Sequence, residues 1–191
     1  MCEMHMLENI VVHSLQVCRV SMCLVDHLKA QRIHLDGQLV QAAALLHDIT
    51  KTRSFKTEEN HALTGSRHLT DSGFPEVGDL VRQHVRLDDY SEPKRLAEAE
   101  IINYADKRVL HDRIVSLDER MNYIMERYGR QPEHKRRIRL LWQKTEDLEK
   151  QIFSYLPFSP NDLNDHLTAL DISSEISSYQ KLCSQLTTGS I

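Results

Sequence analysis

Apolar positions recur at helical spacing almost from the first residue. Leu7, Ile10, Val11, Ser14, Leu15, Cys18, Met22 and Val25 step by three and four, which predicts a helix over about 5–30 with one buried stripe. A second stripe, His13, Val17, Val20, Leu24 and Leu28, runs beside it, so this helix is central and His13 lies on its inner surface. Asp36 is placed to cap a second helix through LVQAAALLHDI, to about residue 50, whose alanines let a neighbour approach closely. TRSFK reads as a polar connection. Thr57 then caps TEENHALTGSRHLTDSG, Gly73 closes that helix and Pro75 opens the next. A fourth helix buries Val77, Leu80, Val81 and His84; DDYSEP is a loop; a fifth, about 94–111, carries Leu96, Ile102, Asp106 and Val109 on one side.

Two longer and more charged amphipathic helices follow, over 113–128 and 133–155, divided by the breaker YGRQP. The second shows a seam of Ile138, Leu141, Trp142, Thr145, Leu148 and Ile152, suited either to packing on the core or to forming a homodimer. From Ser173 onward the chain is rich in Ser, Thr and Gln and reads as a weak helix or disorder. The fold class is therefore all-α, with a core over 1–112, a helical extension over 113–156 and a partly disordered tail over 157–191. Only 6 Gly and 5 Pro among 191 residues, and no run of β-branched strands, agree with this.

Charge and cysteine usage narrow the surroundings. The net charge of −4 gives no reason to expect nucleic acid, and the one basic cluster, HKRRIR, is followed by QKTEDLEK, a mixed-charge helix face. The four cysteines lack the C-x₂-C spacing of structural zinc and read as reduced thiols. No apolar run approaches ~20 residues and no signal segment is evident, so a cytoplasmic protein without a membrane partner is expected.

The candidate chemistry lies in AAALLHDITK, where His47 and Asp48 end an apolar helical run. A charged pair there costs several kcal/mol of desolvation unless something compensates it. His111-Asp112, in a polar setting, shows that the dipeptide alone is weak evidence. Its company strengthens the first pair: His13 precedes it, and His61, His84 and Asp106 follow on helices of their own. Four histidines and two aspartates supply ligands for one or two divalent ions among Fe, Mn, Zn, Co and Ni, with Asp48 placed to be shared. Two such ions would hold an activated hydroxide between them as a nucleophile at neutral pH. The remaining histidines (5, 27, 34, 68, 111, 134 and 166) carry no comparable signal and read as surface residues.

The order His13, His47-Asp48, His61, His84, Asp106 resembles the HD-domain superfamily of metal-dependent phosphohydrolases. HDITK at 47–51 is similar to the HDIGK signature of the HDIG subgroup, and NHALTG, RQHVRLDD and EIINYADKRV resemble later ligand blocks, over about residues 5–112. The closest look is to small uncharacterised bacterial proteins of that subgroup. The resemblance implies a five-helix core with the metals at its centre: His13, His47, Asp48 and Asp106 on one ion, and Asp48 bridging to a second held by His61 and His84. Thr50 stands where HDIGK has glycine, and no GYP block follows His84-Val85, which disfavours the cyclic-di-GMP phosphodiesterases of the HD-GYP class.

The function implied is hydrolysis of a small phosphorylated substrate, a nucleotide being the first candidate, with Asp48 and Lys51 catalytic. Lys51 matches the lysine of the signature. Lys51, Arg82, Arg86 and Arg108 are the candidate substrate-binding cations; Lys107 should point about 100° away from Asp106 on an ideal helix. Two other readings stay open: a di-iron oxygenase, and a non-catalytic domain in which metal supports folding and the 113–155 helices bind a partner.

Overall fold

In the computed structural model, which describes residues 1–88, 95–169 and 171–188, helices are joined by short turns and accompanied by one small strand pair. Helix α1 (Glu8–Ala30) is the axis, and both expected stripes face protein except at Leu7, which precedes the helix and is exposed: Ile10, Val11, His13, Val17, Val20, Leu24 and Leu28 are all buried. Helices α2 (Gly37–Leu46) and α6 (Glu98–Lys107) pack along it. Ile101 and Ile102 of α6 are completely enclosed, and each such side chain contributes about 1.5–3 kcal/mol. Helices α4 (His61–Asp71) and α5 (Pro75–Gln83) form a tight pair, and α5 also meets α2 and α6.

Short-range chemistry sets the ends of these helices. The Asp36 carboxylate accepts from the Gln38 and Leu39 backbone N–H groups, as expected of a cap. Gly73 closes α4 at φ 89°, and Pro75 is the first residue of α5. The cap of α4 is not Thr57, however, but Asn60, whose side chain accepts from Ala62 and Leu63 N–H. Thr57 instead ends a short helix α3 (Lys51–Thr57), so TRSFK is helical and not a connection. Helix α3 buries none of its residues, which is why no apolar period announces it. Most of the expected DDYSEP loop lies outside the described residues.

Helix α6 also stops short of the expected residue 111. Val109–Leu110 (β1) and Arg113–Ile114 (β2) pair antiparallel, with His111 between them at φ 58°. A non-glycine residue in the left-handed region leaves little turn signature in a sequence. Ser116 then caps α7 (Leu117–Tyr128), accepting from Glu119 N–H. Helix α8 (Pro132–Phe153) follows and packs on α6 and α7. Trp142, Thr145, Leu148 and Ile152 of its seam are buried within the chain itself.

The tail is helical where described. Helix α9 (Ile172–Thr188) packs on α1, with Tyr179 donating to the Met6 carbonyl at 3.2 Å and Gln180 to Glu8 at 3.0 Å. Cys183 forms a disulfide with Cys2 across 181 sequence positions. The expectation of four reduced thiols therefore fails for this pair, because the return of α9 to the N-terminus is a tertiary event that cysteine spacing does not encode. Cys18 and Cys23 are buried free thiols, and burial pushes both up to about 11. No helix among the described residues is long and apolar enough to cross a membrane.

Candidate metal centre

Five helices deliver six side chains to one place. His13 comes from the second turn of α1, His47 and Asp48 from the turn after α2, His61 from the first residue of α4, His84 from the residue after α5, and Asp106 from the last turn of α6. His47 and His84 occupy equivalent helix-end positions, and each turns its Nδ1 back to a carbonyl three residues earlier. These are Ala44 at 2.8 Å and Val81 at 2.6 Å. His13 Nδ1 lies 3.2 Å from the carbonyl of His111. A ring that donates Nδ1–H in this way keeps a bare lone pair on Nε2, the tautomer used for metal ligation. In all three rings Nε2 points to the centre.

Two local features bring α4 and α5 into position. A Cβ on Gly78 of α5 would sit 2.8 Å from the Ser66 backbone oxygen of α4, so the pair crosses at a distance only glycine permits. That crossing leaves His61 Nε2 3.2 Å from His84 Nε2. Thr50, at the position of the signature glycine, is buried and donates its hydroxyl to the His61 carbonyl at 2.8 Å. At φ −103° it has no need of glycine's freedom, and the hydroxyl gives α4 an anchor that glycine could not.

The donor atoms fall into two groups that share one carboxylate. His13, His47 and Asp48 form one and Asp48, His61 and His84 the other, each with its ligand atoms within 4.8 Å of one another. Asp106 Oδ1 adjoins the first, 3.1 Å from His13 Nε2 and 3.9 Å from His47 Nε2. Asp48 Oδ2 is 3.4 Å from His47 Nε2, and its Oδ1 is 3.2 Å from His61 Nε2 and 3.6 Å from His84 Nε2. Among the described residues, none of the histidines set aside from the sequence joins either group.

Electrostatics favour the ligand forms of both aspartates, His13 and His84, whereas burial opposes charge on His47 but Asp48 beside it prevails and raises that imidazole. Burial opposes charge on Asp48, but His47 beside it and the other histidines around it hold its carboxyl well below the usual range. Burial likewise opposes charge on Asp106, where Lys107, His13 and Arg120 prevail and keep it ionised. Burial pushes His84 down to about 4 and lowers His13, so both are neutral imidazoles at neutral pH. Meanwhile His47 Nε2 and Asp48 Oδ1 are buried with no hydrogen-bond partner. Orphaned acceptors of this kind are costly unless something else satisfies them. Imidazoles and carboxylates converging on an unsatisfied centre fit a divalent ion of the first transition row.

The candidate cations divide sharply. Lys51 reaches Asp48 Oδ2 at 2.6 Å, with its side chain about one-third exposed (32%). Arg82 does not turn inward: it forks onto Asp79 and Asp88 at the surface, at 2.7 and 2.5 Å. Arg108 is buried in a different part of the molecule. Its Nε donates to the Val115 carbonyl at 2.7 Å, and its terminal nitrogens donate to Tyr104 Oη, Glu149 and the Pro160 carbonyl. It ties α6 to α8 and the segment after it, so its donors are engaged away from the converging histidines. Arg86 is exposed and borders the stretch outside the described residues.

Three contributors were not legible. Lys107 overcomes its unfavourable helix angle with a long side chain, placing Nζ 2.5 Å from the His84 carbonyl and 3.2 Å from Asp106 Oδ2. Arg120 of α7 brings a terminal nitrogen to 4.0 Å from Asp106 Oδ1. His111, read as a surface residue, has an exposed ring but a carbonyl that braces His13. Backbone carbonyls carry no side-chain signal, and the polar pattern of 113–128 gave Arg120 the look of a solvated charge.

Comparison with known proteins places this cluster. An uncharacterised protein of Methanocaldococcus jannaschii is 26% identical over 156 residues, covering 75% of this chain and 91% of the relative. No solved structure matches the chain significantly. The family model of the HD domain matches residues 10–109, a span that encloses all six converging side chains. With more than half its length matched, and with its histidines and aspartates gathered at the centre of the matched helices, this chain belongs to the HD-domain family.

Proposed function

We propose that this protein is a metal-dependent phosphohydrolase that cleaves a small phosphoester, a nucleotide being the first candidate. The HD domain is typically a metal-dependent phosphohydrolase, and the observation that carries the reading here is Asp48, shared by both donor groups with its Oδ1 unsatisfied. His13, His47, Asp48 and Asp106 would hold one divalent ion, and Asp48, His61 and His84 a second. When bound, such ions polarise phosphoryl oxygens and make water a usable nucleophile at neutral pH.

The chain's own residues supply orientation and charge. The backbone carbonyls of Ala44, Val81 and His111 fix the three rings, so no reorientation is needed when ligands bind. Lys107, fully enclosed, holds the carbonyl of His84 and neutralises Asp106 from behind. Lys51 is the one-third-exposed cation of the cluster, positioned to pass from Asp48 to a phosphoryl oxygen as charge builds there. Arg86 remains a rim candidate; Arg82 and Arg108 are engaged elsewhere.

The test is a panel of phosphomonoesters, phosphodiesters and nucleotides offered to metal-stripped protein and to protein reconstituted with Fe, Mn, Zn, Co or Ni. Hydrolysis confined to reconstituted samples is expected. Full metal loading with no hydrolysis across the panel would overturn the proposal.

A further inference from the structure

Arg120 stands outside the residues matched by the HD domain, on the first helix beyond it. Its side chain is 15% exposed, and its Nε is buried without a hydrogen-bond partner. The nearest opposite charge, Asp106 Oδ1, is 4.0 Å away, inside ion-pair range but beyond a hydrogen bond. The guanidinium lies over the Tyr123 ring at 5.8 Å, and Tyr123 in turn meets the His111 ring edge-on at 5.4 Å. Helix α7 is thereby joined to the turn whose carbonyl braces His13.

A count of charges around the centre shows what is missing. Asp48 and Asp106 already have ammonium partners in direct contact, Lys51 at 2.6 Å and Lys107 at 3.2 Å. Arg120 is a third cation facing two carboxylates, and any divalent ion would add to the surplus. A mostly buried guanidinium with unmet donors is unfavourable unless an anion completes it. Its planar fork suits two oxygens of one phosphoryl group.

We infer that Arg120 is a phosphate-gripping residue, which with Lys51 selects a dianionic terminal phosphate, the phosphomonoester, over a singly charged diester. The inference rests on the phosphohydrolase reading above and names its substrate class. The structural alternative is that Arg120 only steadies Asp106.

Titrating inorganic phosphate into metal-reconstituted wild type, Arg120→Ala and Arg120→Lys by calorimetry separates the two, with metal content measured on each. Loss of a charge-assisted, bidentate contact should weaken phosphate binding by ~10-fold or more in the alanine variant, less in the lysine variant, with metal content unchanged. Added guanidinium ion should restore part of the alanine variant's binding. Kinetics should agree: p-nitrophenyl phosphate hydrolysis should fall more than that of bis(p-nitrophenyl) phosphate, chiefly through KM. Phosphate affinity equal to wild type, or loss of metal in step with loss of phosphate, would overturn the inference. If wild type hydrolyses phosphoesters and the variants match it, only the role of Arg120 fails. If metal-loaded wild type neither binds phosphate nor hydrolyses any ester, the phosphohydrolase reading fails with it.

Discussion

Asp48→Ala should lose metal from both donor groups at once and abolish metal-dependent hydrolysis. No other residue belongs to both groups, and its two oxygens face different histidines: Oδ2 toward His47, Oδ1 toward His61 and His84. Charge stabilisation by bound metal amounts to several kcal/mol, so activity should fall on the order of 10³-fold or more. The fold should survive, because Lys51, the cation left behind, is one-third exposed and can turn to water. The check is metal content and turnover beside a circular dichroism spectrum. A folded variant that keeps its metal and its rate would show that Asp48 is a buried structural carboxylate.

Arg108→Ala should have the largest effect on stability while sparing the site's chemistry. The guanidinium connects the Val115 and Pro160 carbonyls, Tyr104 Oη and Glu149, and only 4% of the residue is exposed. Removing it leaves the Val115 and Pro160 carbonyls without their donor and Glu149 without its cation, with only the Tyr104 hydroxyl still donating to that carboxylate, a change that costs about 3–5 kcal/mol. For a chain of this size the Tm should drop by roughly 10 °C. Well below that melting temperature the variant should keep wild-type metal content. Unchanged stability with weakened substrate binding would restore Arg108 as a substrate contact.

The parts legible in the sequence share one property: their signal is local and periodic. Both stripes of α1, the Asp36 cap, Gly73 and Pro75 follow from spacing and backbone chemistry within a few residues, and the structure has them all. Four of the six converging residues were legible because polar side chains on apolar faces break that period at His13, His47, His84 and Asp106. What escaped depends on distant neighbours. Helix α3 has no buried face, the turn at His111 uses no glycine, and the Cys2–Cys183 bond joins the two ends of the chain. The cations show the same division. Lys51 could be placed from its distance to His47 along the chain, whereas Arg108 and Arg120 have similar polar surroundings in sequence and opposite fates in the fold. Thr50 carries no role that its neighbours in sequence announce, and only the approach of α4 gives its hydroxyl the His61 carbonyl to hold.

The central claim is that the two donor groups around Asp48 hold metal. The direct measurement is elemental analysis of protein purified without a metal-affinity column, for wild type and His84→Ala. Two divalent ions per chain, falling to one in the variant, is the predicted result, because His84 belongs only to the group of Asp48 and His61. No bound metal in wild type, even after reconstitution, would contradict the account.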